Sequence, residues 1–161
     1  MKEQIALKNL SDFANKSLLI VDDDNPFRER LARAMEKKGF EVLQAEGVKK
    51  GIDTVKAKKP GFAVVDLRLE DGNGLDVIKE LSEMNSRFVT FIDPSPMEDK
   101  KYIKQLMKEM IPLKKMWGGL ATVKIANDEE LLDLAAESGC KGLLIGFETI
   151  GKLIFLILII F

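Results

Sequence analysis

Four aspartates carry the clearest chemistry in this sequence. Asp22, Asp23 and Asp24 follow one apolar run, and Asp66 follows another. If the two runs are neighbouring parallel strands, their carboxyl ends bring these carboxylates together, where their charges repel. A hard cation such as Mg²⁺ relieves that repulsion through oxygen ligands, and a carboxylate beside it can attack a phosphoryl group. The alternative is structural: the first three aspartates are then loop residues, and the fourth is a helix cap or a turn residue.

The composition excludes several other classes of site. The chain has 161 residues, no histidine and a single cysteine, Cys140. It therefore offers no Ser-His-Asp triad, no histidine-ligated zinc, no internal disulfide and no self-contained iron–sulfur cluster. With 46% hydrophobic residues, 32% charged residues and a net charge of -1, it is typical of a globular domain without a basic face for nucleic acid.

The elements that must position the aspartates alternate between strands and helices. Six strands are predicted, at Ser17–Asp22, Phe40–Ala45, Phe62–Leu67, Arg87–Ile92, Ala121–Ala126 and Gly142–Phe147. Their nearly continuous apolar runs are typical of parallel strands that are covered on both faces. The fold class is therefore α/β, a doubly wound parallel sheet of five to six strands with alternating β-α units.

Five helices fill the gaps between these strands. The first is predicted to begin with Asn25 as its cap and Pro26 at its first position, with an apolar face formed by Phe27, Leu31, Ala34 and Met35. The others are predicted at Val48–Lys58, around Val77–Leu81, at about Pro96–Met110 and after Asn127. Trp117, Gly118 and Gly119 are predicted to form a packed turn.

The segment from Ser17 to Asn85 resembles the receiver domain of bacterial two-component response regulators, of the global redox and photosynthesis regulator type. The motifs are LLIVDDDNPF, FAVVDLRLEDGNGL and the Gly74-Leu75 pair. The resemblance implies a flavodoxin-like sheet and a phosphoacceptor at Asp66. It also implies Mg²⁺ ligated by Asp23, Asp66 and the backbone carbonyl of Arg68, with Asp22 acting through a bound water. A cytoplasmic, non-enzymatic module that meets a histidine kinase or phosphotransfer protein is the implied function.

Two switch positions depart from that family. The hydroxyl at the end of its fourth strand corresponds to Ile92 or Asp93, whereas Thr90 and Ser95 are out of place. The lysine that ends its fifth strand corresponds to Gly146. A switch-impaired phosphoacceptor is therefore expected. No DNA-binding output domain is recognised, so no nucleic-acid binding by the chain itself is expected.

The segment 87–150 resembles part of the barrel of radical S-adenosylmethionine enzymes of the cobalamin-dependent type, through the motifs FIDPS, IPLKKMWGG and IGFET. The three-cysteine loop of that family is missing, so no cluster and no radical catalysis are expected. Cys140 is predicted to be a small buried residue, and Lys124 a partly exposed strand residue. The alternative function is a non-catalytic fragment or chimera without independent activity.

The predicted organisation has three parts. Residues 1–16 form an N-terminal extension, and residues 17–150 form one α/β domain, receiver-derived over 17–85 and barrel-derived over 86–150. Residues 151–161 form an apolar tail, in which Leu153–Phe161 is apolar throughout. The tail is too short to span a membrane as a helix. A buried strand, a sticky terminus with weak self-association or a weak membrane contact are the alternatives, and removing Leu153–Phe161 is expected to improve solubility without unfolding the rest.

Overall fold

Seven strands form the main sheet in the described part of the computed structural model, which covers residues 10–83, 88–91, 99–149 and 152–158. They are β1 (Ser17–Val21), β2 (Glu41–Ala45), β3 (Phe62–Val65), β4 (Phe88–Phe91), β5 (Met116–Ala121), β6 (Cys140–Thr149) and β7 (Lys152–Leu158). Their order is β2-β1-β3-β4-β5-β6-β7. The first six are parallel, and β7 returns antiparallel to β6. The predicted doubly wound parallel sheet is confirmed, with one added strand.

Five α-helices connect the strands, together with three short 3₁₀ helices. They are α1 (Asn25–Glu36), α2 (Val48–Lys58), α3 (Gly74–Ser82), α4 (Lys100–Met110) and α5 (Glu129–Glu137). The 3₁₀ helices are Leu10–Asp12, Ile111–Leu113 and Val123–Asn127. None of the helices described here has the length and apolar character needed to cross a membrane.

Alternation along β1 explains why the sheet is buried on both faces. Leu18 and Ile20 pack in a smaller cluster with Ala32 of α1, whereas Leu19 and Val21 belong to the larger cluster. Successive side chains of a strand point to opposite faces, so a continuous apolar run needs cover on both sides. The order of the strands reverses direction between β1 and β3, and this switch point is where ligands bind in such sheets.

The fifth strand corrects the sequence prediction. The strand lies at Met116–Ala121, not at Ala121–Ala126, and Trp117, Gly118 and Gly119 are strand residues, not a turn. Two adjacent glycines have low strand propensity, which hid the strand. Trp117 nonetheless is 1 % exposed and drives the segment into the core.

The residues after that strand form the 3₁₀ helix Val123–Asn127. Ile125 is buried in this helix, whereas Lys124 is exposed. The prediction that Lys124 lies in a strand is therefore wrong. Cys140 is buried as predicted, and burial raises the pKa of its thiol to about 11.

The start of α1 also differs from the prediction. Its N-cap is Asp24, whose carboxylate accepts a hydrogen bond from the N–H of Phe27 at 2.9 Å, and Asn25 is the first helical residue. The buried positions of α1 are Arg28 and Ala32, while Ala34 is exposed. Of the predicted apolar face, Leu31 and Met35 pack against the smaller cluster and Ala34 does not, while the inward position of Arg28 was not expected.

The sheet is continuous across the junction predicted near residue 86. Val64 of β3 pairs with Thr90 of β4, and Thr90 pairs with Gly118 of β5. Lys79 of α3 also forms an ion pair with Glu109 of α4 at 3.1 Å. The segment Lys152–Leu158 is a strand at one end of the sheet, which favours the strand alternative for the tail.

Candidate metal centre

Three of the four aspartates converge at the carboxyl ends of β1 and β3. Each of Asp22, Asp23 and Asp66 offers a carboxylate oxygen, and these oxygens all lie within 4.8 Å of one another. Two like unit charges at that separation repel by roughly 3 kcal/mol at an effective dielectric constant of about 20. The fourth, Asp24, turns away as the cap of α1. Asp22, Asp23 and Asp66 therefore form the acidic cluster, whereas the role of Asp24 as a helix cap was not among the alternatives that the sequence left open.

Backbone hydrogen bonds between strands set the position of Asp22 and Asp66. The N–H of Asp22 donates to the carbonyl of Ala45 at 3.1 Å, and the N–H of Asp66 donates to the carbonyl of Val21 at 2.8 Å. Both residues therefore continue the parallel ladder by one residue beyond the strands. Because the ladder fixes the backbones, the cluster is assembled by the fold itself.

Asp22 is the most buried member of the cluster, with only 6% of its surface exposed. Burial raises the pKa of this carboxyl, and the negative charges of Asp23 and Asp24 raise it further. A hydrogen bond from the N–H of Asp24 to Oδ1 at 2.8 Å and the charge of Arg28 act in the opposite direction. The cluster thus concentrates negative charge where it is poorly hydrated, which favours binding of a cation.

Arg28 supports the loop that carries Asp22. Its guanidinium donates to the carbonyl of Asp22 at 2.5 Å and to Oδ1 of Asn25 at 2.6 Å. The side chain is buried against the base of the cluster, on the inner side of α1. Sequence reasoning missed this residue, because an arginine in an amphipathic helix is ordinarily assigned to the solvent face.

The loop after β3 contributes main-chain groups to the same place. The N–H of Arg68 donates to Oδ1 of Asp66 at 3.1 Å, and the N–H of Glu70 donates to Oδ2 of Asp23 at 2.9 Å. The guanidinium of Arg68 lies over the ring of Tyr102 in α4, with Cζ 5.4 Å from the ring centroid. Neither the Glu70 contact nor the Tyr102 contact carries a signal in the sequence.

Gly74 makes the close approach of α3 to Asp66 possible. A Cβ atom at this position would lie 2.0 Å from the carbonyl oxygen of Asp66. The N–H of Gly74 donates to the carbonyl of Leu67 at 3.1 Å, and Asn73 caps the helix through the N–H of Leu75. The Gly74-Leu75 pair singled out in the sequence therefore has a steric reason.

The donor set fits a hard divalent cation. Ligand oxygens around Mg²⁺ lie about 2.1 Å from the ion, so they are about 3.0 Å apart when adjacent and about 4.2 Å when opposite. The oxygens of the three carboxylates lie within 4.8 Å of one another, so small side-chain adjustments bring them into this range. All three side chains offer oxygen ligands, and the sequence contains no histidine that could offer nitrogen.

The other predicted site positions lie elsewhere. Thr90 is within β4, and the positions of Ile92, Asp93 and Ser95 lie outside the described residues. Gly146 belongs to β6, the sixth strand of the sheet, so its assignment to the end of the fifth strand is wrong. The fifth strand ends at Ala121 and is followed by Thr122.

The comparisons with known proteins agree with this geometry. The chain is 59% identical over 70 residues to the photosynthetic apparatus regulatory protein RegA of Cereibacter sphaeroides, a match that covers 44% of this chain and 38% of the relative. It is 60% identical over 67 residues to the acid tolerance regulatory protein ActR of Rhizobium meliloti, which covers 42% of this chain and 34% of the relative. The chain thus matches less than two fifths of the length of these curated relatives.

Solved structures show the same fold. A response regulator from Burkholderia pseudomallei, crystallised with a phosphorylated aspartic acid, a calcium ion and citrate, is 26% identical with a TM-score of 0.53. The match covers 66% of this chain and 59% of that one. The chemotaxis protein CheY4 of Vibrio cholerae matches with a TM-score of 0.51 at 19% identity, over 74% of this chain and 95% of that one.

A family model decides the assignment. The model of the response regulator receiver domain matches residues 18–112, which is more than half of the chain and crosses the junction predicted near residue 86. The resemblance of 87–150 to radical S-adenosylmethionine enzymes finds no support in these comparisons. The cluster at the switch point, the order of the strands and the matching model together show that the chain belongs to the response regulator receiver domain family.

Proposed function

We propose that the chain is a phosphoacceptor module that takes a phosphoryl group on Asp66 with the help of Mg²⁺. The observation that carries the proposal is the convergence of Asp22, Asp23 and Asp66, whose carboxylate oxygens lie within 4.8 Å of one another. Asp23, Asp66 and the backbone carbonyl of Arg68 would hold the ion, with Asp22 acting through a bound water. When bound, the ion offsets the charge of the carboxylates and of the incoming phosphoryl oxygens.

The chain's own residues perform the nucleophilic half of the transfer. An oxygen of the Asp66 carboxylate forms a bond to phosphorus while the bond between phosphorus and the donor breaks, and the electron pair leaves with the donor atom. The N–H of Arg68 already donates to this carboxylate and holds its orientation. The product is an acyl phosphate on Asp66, and the donor is reprotonated by water.

The donor must come from another protein or from a small acyl phosphate. The sequence contains no histidine, so no phosphohistidine can form on this chain. A cytoplasmic histidine kinase or phosphotransfer protein is the partner we propose, on the basis of the family and of the regulatory relatives. Those relatives are named as regulatory proteins, and the same class of role is proposed for this chain.

We also propose that the switch is impaired. The family places a lysine at the end of the fifth strand, where this chain has Ala121 and Thr122. Lys124 is exposed within a 3₁₀ helix after the strand. A phosphoryl group on Asp66 would then lack the ammonium contact that distinguishes two conformations, and a ligand shifts an equilibrium only through differential affinity.

The test is incubation with acetyl phosphate and Mg²⁺ followed by intact-mass measurement. We expect one phosphoryl-sized gain in the wild type, its disappearance in Asp66→Asn, and its loss when EDTA removes the metal. Asp53→Asn, which changes an exposed carboxylate of α2, is the matched control and should keep the gain. A wild type without a gain, or an unchanged gain in Asp66→Asn, would overturn the proposal.

A further inference from the structure

The loop between β3 and α3 is a small hairpin with two anchors at its tip. Arg68–Leu69 pairs antiparallel with Gly72–Asn73, which leaves Glu70 and Asp71 at the turn. The base of this hairpin follows Asp66 after one residue, Leu67. The tip and the cluster are therefore joined by a short stretch of backbone.

One anchor joins the tip to the cluster, and the other joins it to a helix. The N–H of Glu70 donates to the carboxylate of Asp23 at 2.9 Å. The carboxylate of Asp71 accepts from the N–H of Val48 at 2.8 Å and from the N–H of Lys49 at 3.1 Å. Both N–H groups belong to the first turn of α2.

The start of α2 is built to receive this carboxylate. Its N-cap is Gly47, which has no side chain to cap the helix, so the cap comes from Asp71, more than 20 residues away in sequence. A carboxylate at a helix N-terminus is favoured by the unpaired N–H groups and by the helix dipole. The two hydrogen bonds lower the pKa of Asp71, which keeps it charged.

Gly47 leaves the space that this contact needs. A Cβ atom at Gly47 would lie 2.5 Å from Oδ1 of Asp71 and 2.8 Å from Oδ2. The φ angle of Gly47 is -175°, an extended conformation that any residue adopts. A larger side chain at this position is therefore excluded by the Asp71 carboxylate and not by the backbone conformation. Asp71 and Gly47 therefore form one contact that can be broken from either side.

We propose that Asp71 is a positioning residue of the metal centre, which holds the hairpin against α2 so that Asp23 and the Arg68 peptide keep the geometry for binding the cation. The inference rests on the proposed metal site and deepens it. With Asp71 in place, the tip is fixed between α2 and Asp23. Without it, the tip loses its hydrogen bonds to α2, and the N–H of Glu70 that orients the Asp23 carboxylate is held less rigidly. Supporting residues of this kind typically change metal affinity by about 10- to 100-fold.

Two variants test the contact from its two sides. Asp71→Ala removes the carboxylate, and Gly47→Ala displaces it without changing its chemistry. Mg²⁺ titration followed by calorimetry should show affinity reduced by about 10-fold in both, at a temperature where both are folded. Asp71→Asn has a single acceptor oxygen and should fall between Asp71→Ala and the wild type. Asp53→Asn, on the same surface depression, is the control and should bind like the wild type.

Amide hydrogen exchange in metal-free buffer separates this inference from the proposed function. The amides of residues 68–73 should exchange faster in both alanine variants than in the wild type, whether or not the ion binds. Lower thermal stability with unchanged Mg²⁺ affinity would make Asp71 a helix cap only and would overturn the inference, as would unchanged exchange of the hairpin. A wild type that binds no Mg²⁺ would overturn the proposed function, and the positioning role would fail with it.

Discussion

The carboxyl ends of β1 and β3 differ sharply from those of β4 and β5, although all four strands are parallel neighbours. The first pair continues into Asp22 and Asp66, which are held by ladder hydrogen bonds and surrounded by donors. At the end of the second pair, Phe91 and Ala121 are both buried. The ring of Phe91 instead packs on Trp117, with centroids 5.3 Å apart.

The sheet and the site therefore depend on different interactions. Apolar packing extends the sheet from β1 to β6, and any buried side chain of suitable size can serve it. The site needs particular polar atoms at particular distances, and these are found on one side of the sheet. Within the described residues, the sheet therefore runs through both halves of the chain, whereas the carboxylate cluster lies in the first half.

The largest effect is expected from Trp117→Ala. Trp117 is 1 % exposed, and its indole N–H donates to the carbonyl and hydroxyl oxygens of Ser138, so the change leaves a cavity and removes these hydrogen bonds. We expect a loss of about 3–5 kcal/mol in the free energy of unfolding, because large-to-alanine changes in a core cost this much. Chemical denaturation followed by circular dichroism measures it. Met116→Ala, at an exposed neighbour in the same strand, should change stability by about 0.5 kcal/mol or less.

The same variant tests whether the two halves form one cooperative unit. If they do, the amides of β1 and β3 in Trp117→Ala should lose protection from hydrogen exchange together with those of β5 and β6. Protection that persists in β1 and β3 while β5 exchanges freely would show two independent units and contradict the continuous sheet as a single folding domain.

The second largest effect is expected for Mg²⁺ binding by the carboxylate cluster in the first half of the chain. Asp22→Asn keeps an oxygen that accepts from the N–H of Asp24 but removes one charge from the cluster. We expect Mg²⁺ affinity to fall by about 10- to 100-fold. In metal-free buffer the variant should be slightly more stable, by about 1 kcal/mol or less, because repulsion with Asp23 is relieved. Calorimetric titration and thermal unfolding give the two numbers, and a variant that binds Mg²⁺ like the wild type would remove Asp22 from the site.

A smaller effect is expected from the ion pairs of the second half. Asp128 caps α5 and accepts from Lys100 at 2.8 Å and Lys104 at 3.1 Å, and these contacts lower its pKa to about 2. Since the unfolded carboxyl titrates near 3.8, the unfolded chain binds more protons between these values. Stability from this group is therefore present above about pH 4 and is lost as the pH falls towards 2.

Asp128→Asn tests that pH dependence. The amide oxygen can still accept from the N–H of Leu131, so the cap persists while the charge is lost. Stability measured by urea denaturation should fall less steeply between pH 4 and pH 2 than in the wild type. Asp133→Asn, at an exposed position of the same helix, should follow the wild-type profile. Coincident profiles for Asp128→Asn and the wild type would exclude these ion pairs as a source of acid sensitivity.

The smallest effect is expected at β4 and β5 when the phosphoryl mimic beryllofluoride binds with Mg²⁺. Amide NMR should show shifts at residues 22–25 and 66–74, and nearly none at Phe88–Phe91 and Met116–Ala121. The reason is the lack of a lysine where β5 ends. Large shifts in both strands would show that a group such as Thr90 or Lys124 has taken over the switch.

The sequence predicted the first half better than the second for a physical reason. Strong apolar runs bounded by caps predicted β1, β3 and α2 with bounds within a few residues, and α2 at Val48–Lys58 was predicted as found. In β5 the signal was misplaced, because two of its six residues are glycines and the β-branched residues lie just beyond it. Local propensity cannot reveal that Trp117 carries the strand into the core.

The residues of the candidate site could also be predicted only in part from the sequence. The carboxylates could be predicted, since parallel strands place their ends together. Arg28, Glu70 and Asp71 could not, since each acts through a partner that only the folded chain brings near. A buried arginine and a helix capped from a remote loop leave no periodic pattern in the sequence.

Gly74 has a consequence for how much variation this surface tolerates. Because a Cβ there would meet the Asp66 carbonyl at 2.0 Å, a library randomised at this position should yield glycine almost alone when clones are selected for phosphoryl acceptance. At Asp76, two residues further along α3 and exposed, the same selection should pass nearly every residue type except proline. The number of residue types that α3 tolerates therefore rises from almost one at Gly74 to nearly all at Asp76, within the first turn of the helix.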